Sequence, residues 1–405
     1  MTAARNPQDI AEQLDRHYLV RTLTELARVP TEVPLGPDTF MEPDDPKLVH
    51  YVQRELRPRL QALGVYDLDD VPRNQLVARL GRGDSGRSLL VMVYTPTQHH
   101  NLMEDPFSGK VSRAPAYGFD EPCVFGQGVG QNKSHQAIML AVLKLLVDLG
   151  VELSGRLYFA INNEGRSSHR CSNAILESLE AKPNFGILLT RTGTGISLGN
   201  RGRVDVNIEI RGRATHSSVP GQGLSAIAGA NEVLNRLKNV TLEGEHPQLR
   251  GRQAIPYQLL FEPLAPHTLP EVARLRVDRR LLPGDDPEQA AADLRDALGD
   301  LSPYAMKVER GEYMLPALVD VAHPGVRSLS RAHRLVFGEE AKRYYGHGTF
   351  DAGGPCAAGI PTVMYGVGGG VWPLGVDFVP ISQLVQVGQV MVRTILDQLG
   401  VKAAR

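Results

Sequence analysis

Apolar residues recur at spacings of three and four over residues 8–29 and 46–63, which predicts two amphipathic helices. V-P-T-E-V-P-L-G-P between them is a proline-rich loop. Q-L-V-A-R-L and S-L-L-V-M-V-Y, ending at Leu80 and Tyr94, are near-continuous apolar runs of strand length. H-Q-A-I-M-L-A-V-L-K-L-L-V-D-L-G predicts a buried helix stopped at Gly150. G-R-L-Y-F-A-I-N-N is the next strand, a helix follows from about Ser168, and F-G-I-L-L-T is another short buried strand. Strand–helix alternation of this kind implies an α/β/α layered domain.

The pattern changes near residue 200. R-V-D-V-N-I-E-I-R-G alternates over ten residues, as an antiparallel strand with one solvated face does. A helix at about 223–238, a long polar stretch, the strand A-R-L-R-V-D-R-R-L-L, a Pro-Gly turn, a helix at 286–298 and M-K-V-E-R complete a separate α+β unit, 200–311. The α/β pattern then resumes with a helix at 324–337, the strand P-T-V-M-Y and a last helix at 381–399. The expected architecture is one discontinuous α/β domain, 1–199 and 312–405, interrupted by an inserted α+β unit, 200–311. The alternating strand at 203–211 is expected to leave an exposed edge unless it pairs.

Composition narrows the classes. With 405 residues, 42% hydrophobic and 22% charged, the chain can build real cores in two or three domains. A net charge of −1 implies no broad basic field, so nucleic acid and anionic membrane are poor partners. Cys123, Cys171 and Cys356 are few, odd in number and widely spaced, which fits a reducing cytoplasm. The N-terminus has no apolar segment of signal type, and no apolar run approaches membrane-spanning length.

The candidate chemistry centres on residues 88–136, where a buried strand ends in a polar turn and a Gly-rich loop leads into a helix. That layout places a site at the carboxyl edge of a parallel sheet. Asp105-Pro106-Phe107, Gly126-Gln127-Gly128 with Lys133, Asn163-Glu164, Thr215-His216-Ser217-Ser218 with Pro220-Gly221, Asp278-Arg279-Arg280 with Pro283-Gly284, Gly348-Thr349-Phe350-Asp351 and Gly359-Ile360-Pro361-Thr362-Val363 follow in that order. With these landmarks the chain resembles, over nearly its whole length, the dinuclear-zinc family of aminoacylases, acetylornithine deacetylases, succinyl-diaminopimelate desuccinylases and glutamate carboxypeptidases. The resemblance implies the split α/β domain, the inserted lid and a lid-mediated dimer.

It also implies five metal-ligand positions, and these depart from the family pattern. Tyr94 stands near the family's His, Pro96 near its Asp, and Gln131 near the bridging Asp. Asn163-Glu164, or Glu164-Gly165 if the register slips by one, stands for the Glu-Glu pair and lacks one carboxylate. Thr190 or a neighbour replaces the fourth ligand, and Trp372 or Pro373 the last His. Tyr, Gln, Thr and Pro are poor or impossible zinc ligands, so no resident metal or cofactor is expected. A substitute cluster drawn from His99, His100, His135, His169 and His347 is the alternative, although lone histidines are more often satisfied structural residues.

The remaining groups carry the functional expectation. Glu164 is the candidate general acid–base, or else a carboxylate that merely fills the vacated site. The resemblance gives His216 the role of polarising the scissile carbonyl in the neighbouring subunit, and gives Arg280 a substrate carboxylate, although Arg280 could equally pair with Asp278. Tyr94, Gln131, Asn163, Thr349, Asp351 and Trp372 are expected to line a small-molecule pocket. No base is evident beside Cys123 or Cys356, so a thiol nucleophile is not expected. The leading expectation is a metal-independent enzyme making, breaking or rearranging an acyl–amide bond. The alternatives are a non-catalytic protein that binds a peptide, an acyl-amino acid or a partner, and an amidohydrolase with an unusual metal-ligand set.

Overall fold

The computed structural model describes residues 7–33, 41–97, 103–164, 168–370 and 375–402. Contacts divide the chain into two compact units, Met1–Gly199 with Leu318–Tyr344 and Gly354–Arg405, and Asn200–Ala317 with Tyr345–Gly353.

The first unit is built on a mixed sheet. Its main path runs Leu68–Val71, Gln75–Leu80, Arg156–Asn162, Ser88–Tyr94, Phe185–Leu189, Thr362–Tyr365 and Ile196–Asn200. The middle four strands are mutually parallel, and antiparallel neighbours flank them. All seven residues of Ser88–Tyr94 are buried, as a parallel strand covered on both faces requires. The helix Ser134–Asp148 is buried around nearly its whole circumference, and Ile381–Leu399 packs against it. Because the four central strands run the same way, Tyr94, Asn162, Leu189 and Tyr365 all end at one carboxyl edge. Val111–Ala114, Phe119–Phe125 and Phe378–Pro380 form a further three-stranded sheet that the hydrophobic pattern did not predict. Phe378 anchors it, with its ring 5.4 Å from Phe119 and Phe125 and 5.5 Å from Tyr117.

The predicted helix at 46–63 is continuous but not uniformly α-helical. Pro46–His50 passes into a π-helical stretch, Tyr51–Leu56, before Arg57–Ala62. Pro58 lacks the N–H that would bond the carbonyl of Arg54, so the ladder widens at that point.

The second unit is a four-stranded antiparallel sheet ordered Ala254–Glu262, Val272–Leu281, Gly202–Arg211, Ala305–Met314. Helices Ala226–Leu237 and Pro287–Leu298 supply Ala230, Val233, Leu294 and Leu298 to a core with Val204, Val206, Ile208 and Ile210. Burial along Gly202–Arg211 alternates as its sequence does. Its place in the sheet corrects the sequence expectation. It is an interior strand, paired along its length with Val272–Leu281 and with Ala305–Met314. Alternation reports that one face is solvated and says nothing about which strand is the edge. The edges are Ala254–Glu262 and Ala305–Met314.

Candidate functional site

The Gly-rich loop sets the geometry at the carboxyl edge. Gly128 has φ 85°, and a Cβ there would lie 2.5 Å from Thr97 Oγ1, so only glycine fits. The chain then enters a π-helical turn, Val129–Lys133, ahead of Ser134–Asp148. The N–H groups of Gly128 and Gly130 converge on the Asp377 carboxylate at 2.8 and 3.1 Å, a backbone nest filled by an internal anion. Part of Asp377 reaches solvent, but its carboxylate is closed in, with Oδ1 2.7 Å from where a Cβ on Gly130 would lie. That enclosure raises the carboxyl to about 6, against the opposing pull of the two N–H donors, Arg191 and Lys133.

Lys133 is fully buried and donates to the Val29 carbonyl at 2.7 Å, with its ammonium over the Phe107 ring. Burial lowers it to about 7 in spite of Glu32 and Asp377 nearby. The Lys133–Asp377 relation escaped sequence reasoning. The two residues are 244 positions apart, and no spacing rule connects a loop lysine with an aspartate after the Gly368-Gly369-Gly370 run.

Glu164 lies just beyond the strand Arg156–Asn162 and is 2% exposed. Its N–H donates to Asn162 Oδ1 at 2.7 Å, and Oε2 accepts from Cys171 N–H at 3.3 Å, in the first turn of Arg170–Glu177. The positive end of that helix favours the anionic carboxylate. A Glu164 oxygen and a ring nitrogen of His169 lie within 4.8 Å of each other, both residues buried. Ser168 and His169 are both left-handed, at φ 53° and 61°, a costly conformation for two successive non-glycine residues. His169 Nδ1 is packed against Gly354, where a Cβ would approach it to 2.8 Å.

The other edge residues are engaged in different ways. Asn163 donates its amide to the carbonyls of Arg73 and Asn74, bracing two left-handed residues of the adjoining turn. The Tyr94 carbonyl accepts from Gln136, whose Oε1 accepts in turn from the Tyr51 hydroxyl. Gln131 is half-buried in the π-helical turn. Thr190 is 3% exposed, and its N–H bonds the Tyr365 carbonyl. His135 is no member of a substitute metal cluster. It is buried, its Nε2 accepts from Val367 N–H at 3.2 Å, and burial lowers it to about 3. Cys123 donates to the Glu121 carbonyl and burial pushes its thiol up to about 11; burial raises Cys356 as well. Trp372, Pro373, His99 and His100 lie outside the described residues.

In the second unit, His216 is exposed on a short ladder with Thr268. Its Nδ1 lies 2.8 Å from Ser218 Oγ and accepts from Ser218 N–H at 3.2 Å, which assigns the neutral ring's proton to Nε2. Arg280 donates to Asp278 at 2.8 Å, to Thr349 Oγ1 at 2.7 Å and to the His347 carbonyl at 3.2 Å. The Asp278 pairing is therefore formed, and Thr349, accepting from Arg280, keeps its own hydroxyl proton free to donate elsewhere. Asp351 is fully buried.

Residues 198–305 match the peptidase dimerisation domain. Acetylornithine deacetylase of Myxococcus xanthus is 26% identical over 297 residues, 67% of this chain and 68% of that protein. The uncharacterised protein YgeY of Escherichia coli K12 is 21% identical over 312 residues, 76% of this chain and 72% of its own. Among solved structures, the M20 family metallo-carboxypeptidase Sso-CP2 from Sulfolobus solfataricus is similar with a TM-score of 0.74 at 15% identity, over 94% of this chain and 98% of that one. The fold is that of the M20 peptidases, a mixed α/β sheet domain carrying an inserted antiparallel dimerisation domain. In sequence the chain is similar to acetylornithine deacetylase and, over a shorter stretch, to carboxypeptidase G2. No helix among the described residues is long and apolar enough to cross a membrane.

Proposed function

We propose that the protein acts on an acyl–amide or amino-acid-derived small molecule, with Glu164 as the proton-transfer group and His216 as the oxyanion donor, and without a two-zinc centre. The observation that carries this reading is the residue set at the carboxyl edge. Of Tyr94, Asn163, Glu164 and Thr190, which end or follow three of the parallel strands, only Glu164 brings a carboxylate. The neutral side chains there do not fit a pair of divalent zinc ions, which need His or carboxylate donors. Asn163 has its amide N–H groups spent on the Arg73–Asn74 turn as well.

For hydrolysis the steps balance without a metal. Glu164 takes a proton from water as the water oxygen attacks the amide carbon. The carbonyl electrons move onto oxygen, where an Nε2–H donor such as that of His216 stabilises the charge. Glu164 then returns the proton to the departing nitrogen as the C–N bond breaks. His216 acts from the second copy of the chain, as the resemblance implies. Arg280 and Thr349 fit a role in holding a substrate carboxylate.

A second reading has one specific observation in its favour. The Glu164 carboxylate and the His169 ring, close and both buried, are the beginning of a single-cation site with a ligand pair unlike the family's. Elemental analysis and chelation separate the two. Activity that survives exhaustive chelation, with no stoichiometric metal, supports the metal-free reading, while one bound metal per chain lost in His169→Ala overturns it.

On an amide substrate, Glu164→Gln is expected to cut the rate by about 10²–10⁴. His216→Ala is expected to cut it by about 10²–10³. An equimolar mixture of the two variants should recover part of the activity after subunit exchange. Full activity in both single variants refutes the mechanism, whereas a wild type without amide-cleaving activity favours a binding protein.

A further inference from the structure

The second unit places two arginines, Arg201 and Arg250, close in the fold without a carboxylate partner among the described residues. Arg201 immediately precedes the interior strand Gly202–Arg211 and is 6% exposed. Its Nη1 donates to the Gly251 carbonyl at 2.9 Å and to Gln253 Oε1 at 3.1 Å, while its buried Nε has no partner. Arg280 is held against the same Gln253, donating its backbone N–H to that residue's carbonyl at 2.8 Å, and its own Nε is likewise buried without a partner.

The acids nearby are already committed. Asp278 accepts from Arg280 at 2.8 Å, and Asp205 lies 3.3 Å from Arg203. No carboxylate among the described residues pairs with Arg201 or Arg250. Burial first, then Arg280 and Arg250, hold the Arg201 guanidinium below its ordinary value despite Asp278. Burial, Arg250 and Arg201 do the same to His347. These groups therefore feel one another as like charges. An uncompensated buried cation is costly, and a counter-charge from solution removes that cost.

The backbone supports a built site. Arg250 is left-handed at φ 65°, a strained state for arginine, in the short ladder Glu245–His246 with Arg250–Gly251. The following carbonyl, that of Gly251, is the one that holds Arg201. Arg250 and His347 are exposed to solvent, whereas Arg201 is buried.

We propose that Arg201 and Arg250, with His347 beside them, bind a compact dianionic oxyanion group, the chemistry shared by phosphate and a short dicarboxylate. Guanidinium groups suit such a ligand because each offers N–H donors in a planar fork. Two cations without carboxylate partners match two negative charges, and a monocarboxylate leaves one of them unbalanced. The site adjoins Arg280, which donates to the His347 carbonyl, but anion binding there does not require the proton transfer assigned to Glu164.

The test is calorimetric titration of the full-length protein at low ionic strength with inorganic phosphate, with succinate and with acetate. One saturable site per chain is expected for phosphate, or for succinate if the natural ligand is a dicarboxylate, with acetate weaker by about tenfold or more. Arg250→Ala, at an exposed position, should weaken binding by about ten- to a hundredfold. Arg201→Met should weaken it further, and Lys307→Ala, at an exposed position on the edge strand Ala305–Met314, should not change it. Glu164→Gln should bind the anion as wild type does, so failure of the amide-bond reading leaves this result standing. Dianions that bind no more tightly than acetate, or binding unchanged by Arg250→Ala, overturn the proposal.

Discussion

Lys133 offers a sharp test of how the carboxyl edge is held together. Its ammonium is fully buried, keeps one carbonyl partner in Val29, and is lowered from 10.5 to about 7. The free-energy equivalent is about 1.4 kcal/mol per pKa unit, so the shift corresponds to about 5 kcal/mol across the whole window. The sign follows from proton counting. Between the folded and unfolded values the unfolded chain binds the extra proton, so stability rises with pH from about 7 towards 10.5 and is lost as pH falls back through about 7.

Asp377 does not blur that window. Its folded value is raised to about 6 from 3.8, so the folded chain holds the extra proton between them, and its effect is a loss of stability as pH rises through that lower range. Lys133→Met removes the buried charge at similar length, but leaves the Val29 carbonyl without its donor, a cost of about 1–3 kcal/mol. The comparison to measure is denaturant unfolding of wild type and variant at matched protein concentration, from about pH 7.5 to about pH 9.5. Wild type should gain about 3 kcal/mol relative to the variant over that interval. Parallel stability curves for the two proteins would show that Lys133 has an ordinary pKa and that the burial argument is wrong.

The remaining predictions concern the loop and the dimer. Gly130→Ala places a methyl 2.7 Å from Asp377 Oδ1, so it should displace that carboxylate from the nest and lower stability by about 1–3 kcal/mol in thermal or denaturant unfolding; an unchanged midpoint would mean that Asp377 does not fill the nest. The edge strand Ala254–Glu262 leaves Ile255, Tyr257, Leu259, Leu260 and Phe261 exposed, on both of its faces, and a second copy covering this edge is the expected homodimer contact. Leu260→Asp together with Tyr257→Asp should give a folded monomer in sedimentation at micromolar concentration, and an undisturbed dimer would move the contact elsewhere.

The period of the hydrophobic pattern was enough for the central strands, the main helices and the split α/β architecture, but not for the sheet of Val111–Ala114, Phe119–Phe125 and Phe378–Pro380 or for the strand Ala254–Glu262, which lies in the stretch read as polar. The unbroken run Ser88–Tyr94 had to be covered on both faces, and the alternation at Gly202–Arg211 had to leave one face solvated. Residue identity was enough to identify Glu164 as the carboxylate remaining in the Asn163-Glu164 motif, because donor chemistry belongs to the side chain alone. Tertiary structure decided what depends on neighbours far along the chain. Strand order put Gly202–Arg211 inside its sheet and exposed Ala254–Glu262, since pairing partners are not encoded in a strand's own alternation. Folding also turned His135 from a possible ligand into a neutral core acceptor for Val367 N–H, brought Asp377 onto the Gly128–Gly130 nest, and left Arg201 without a carboxylate partner. Each of these outcomes is electrostatic or steric. The energy of a charge or a lone pair is set by burial and by groups a few ångströms away, and those distances exist only once the chain has folded.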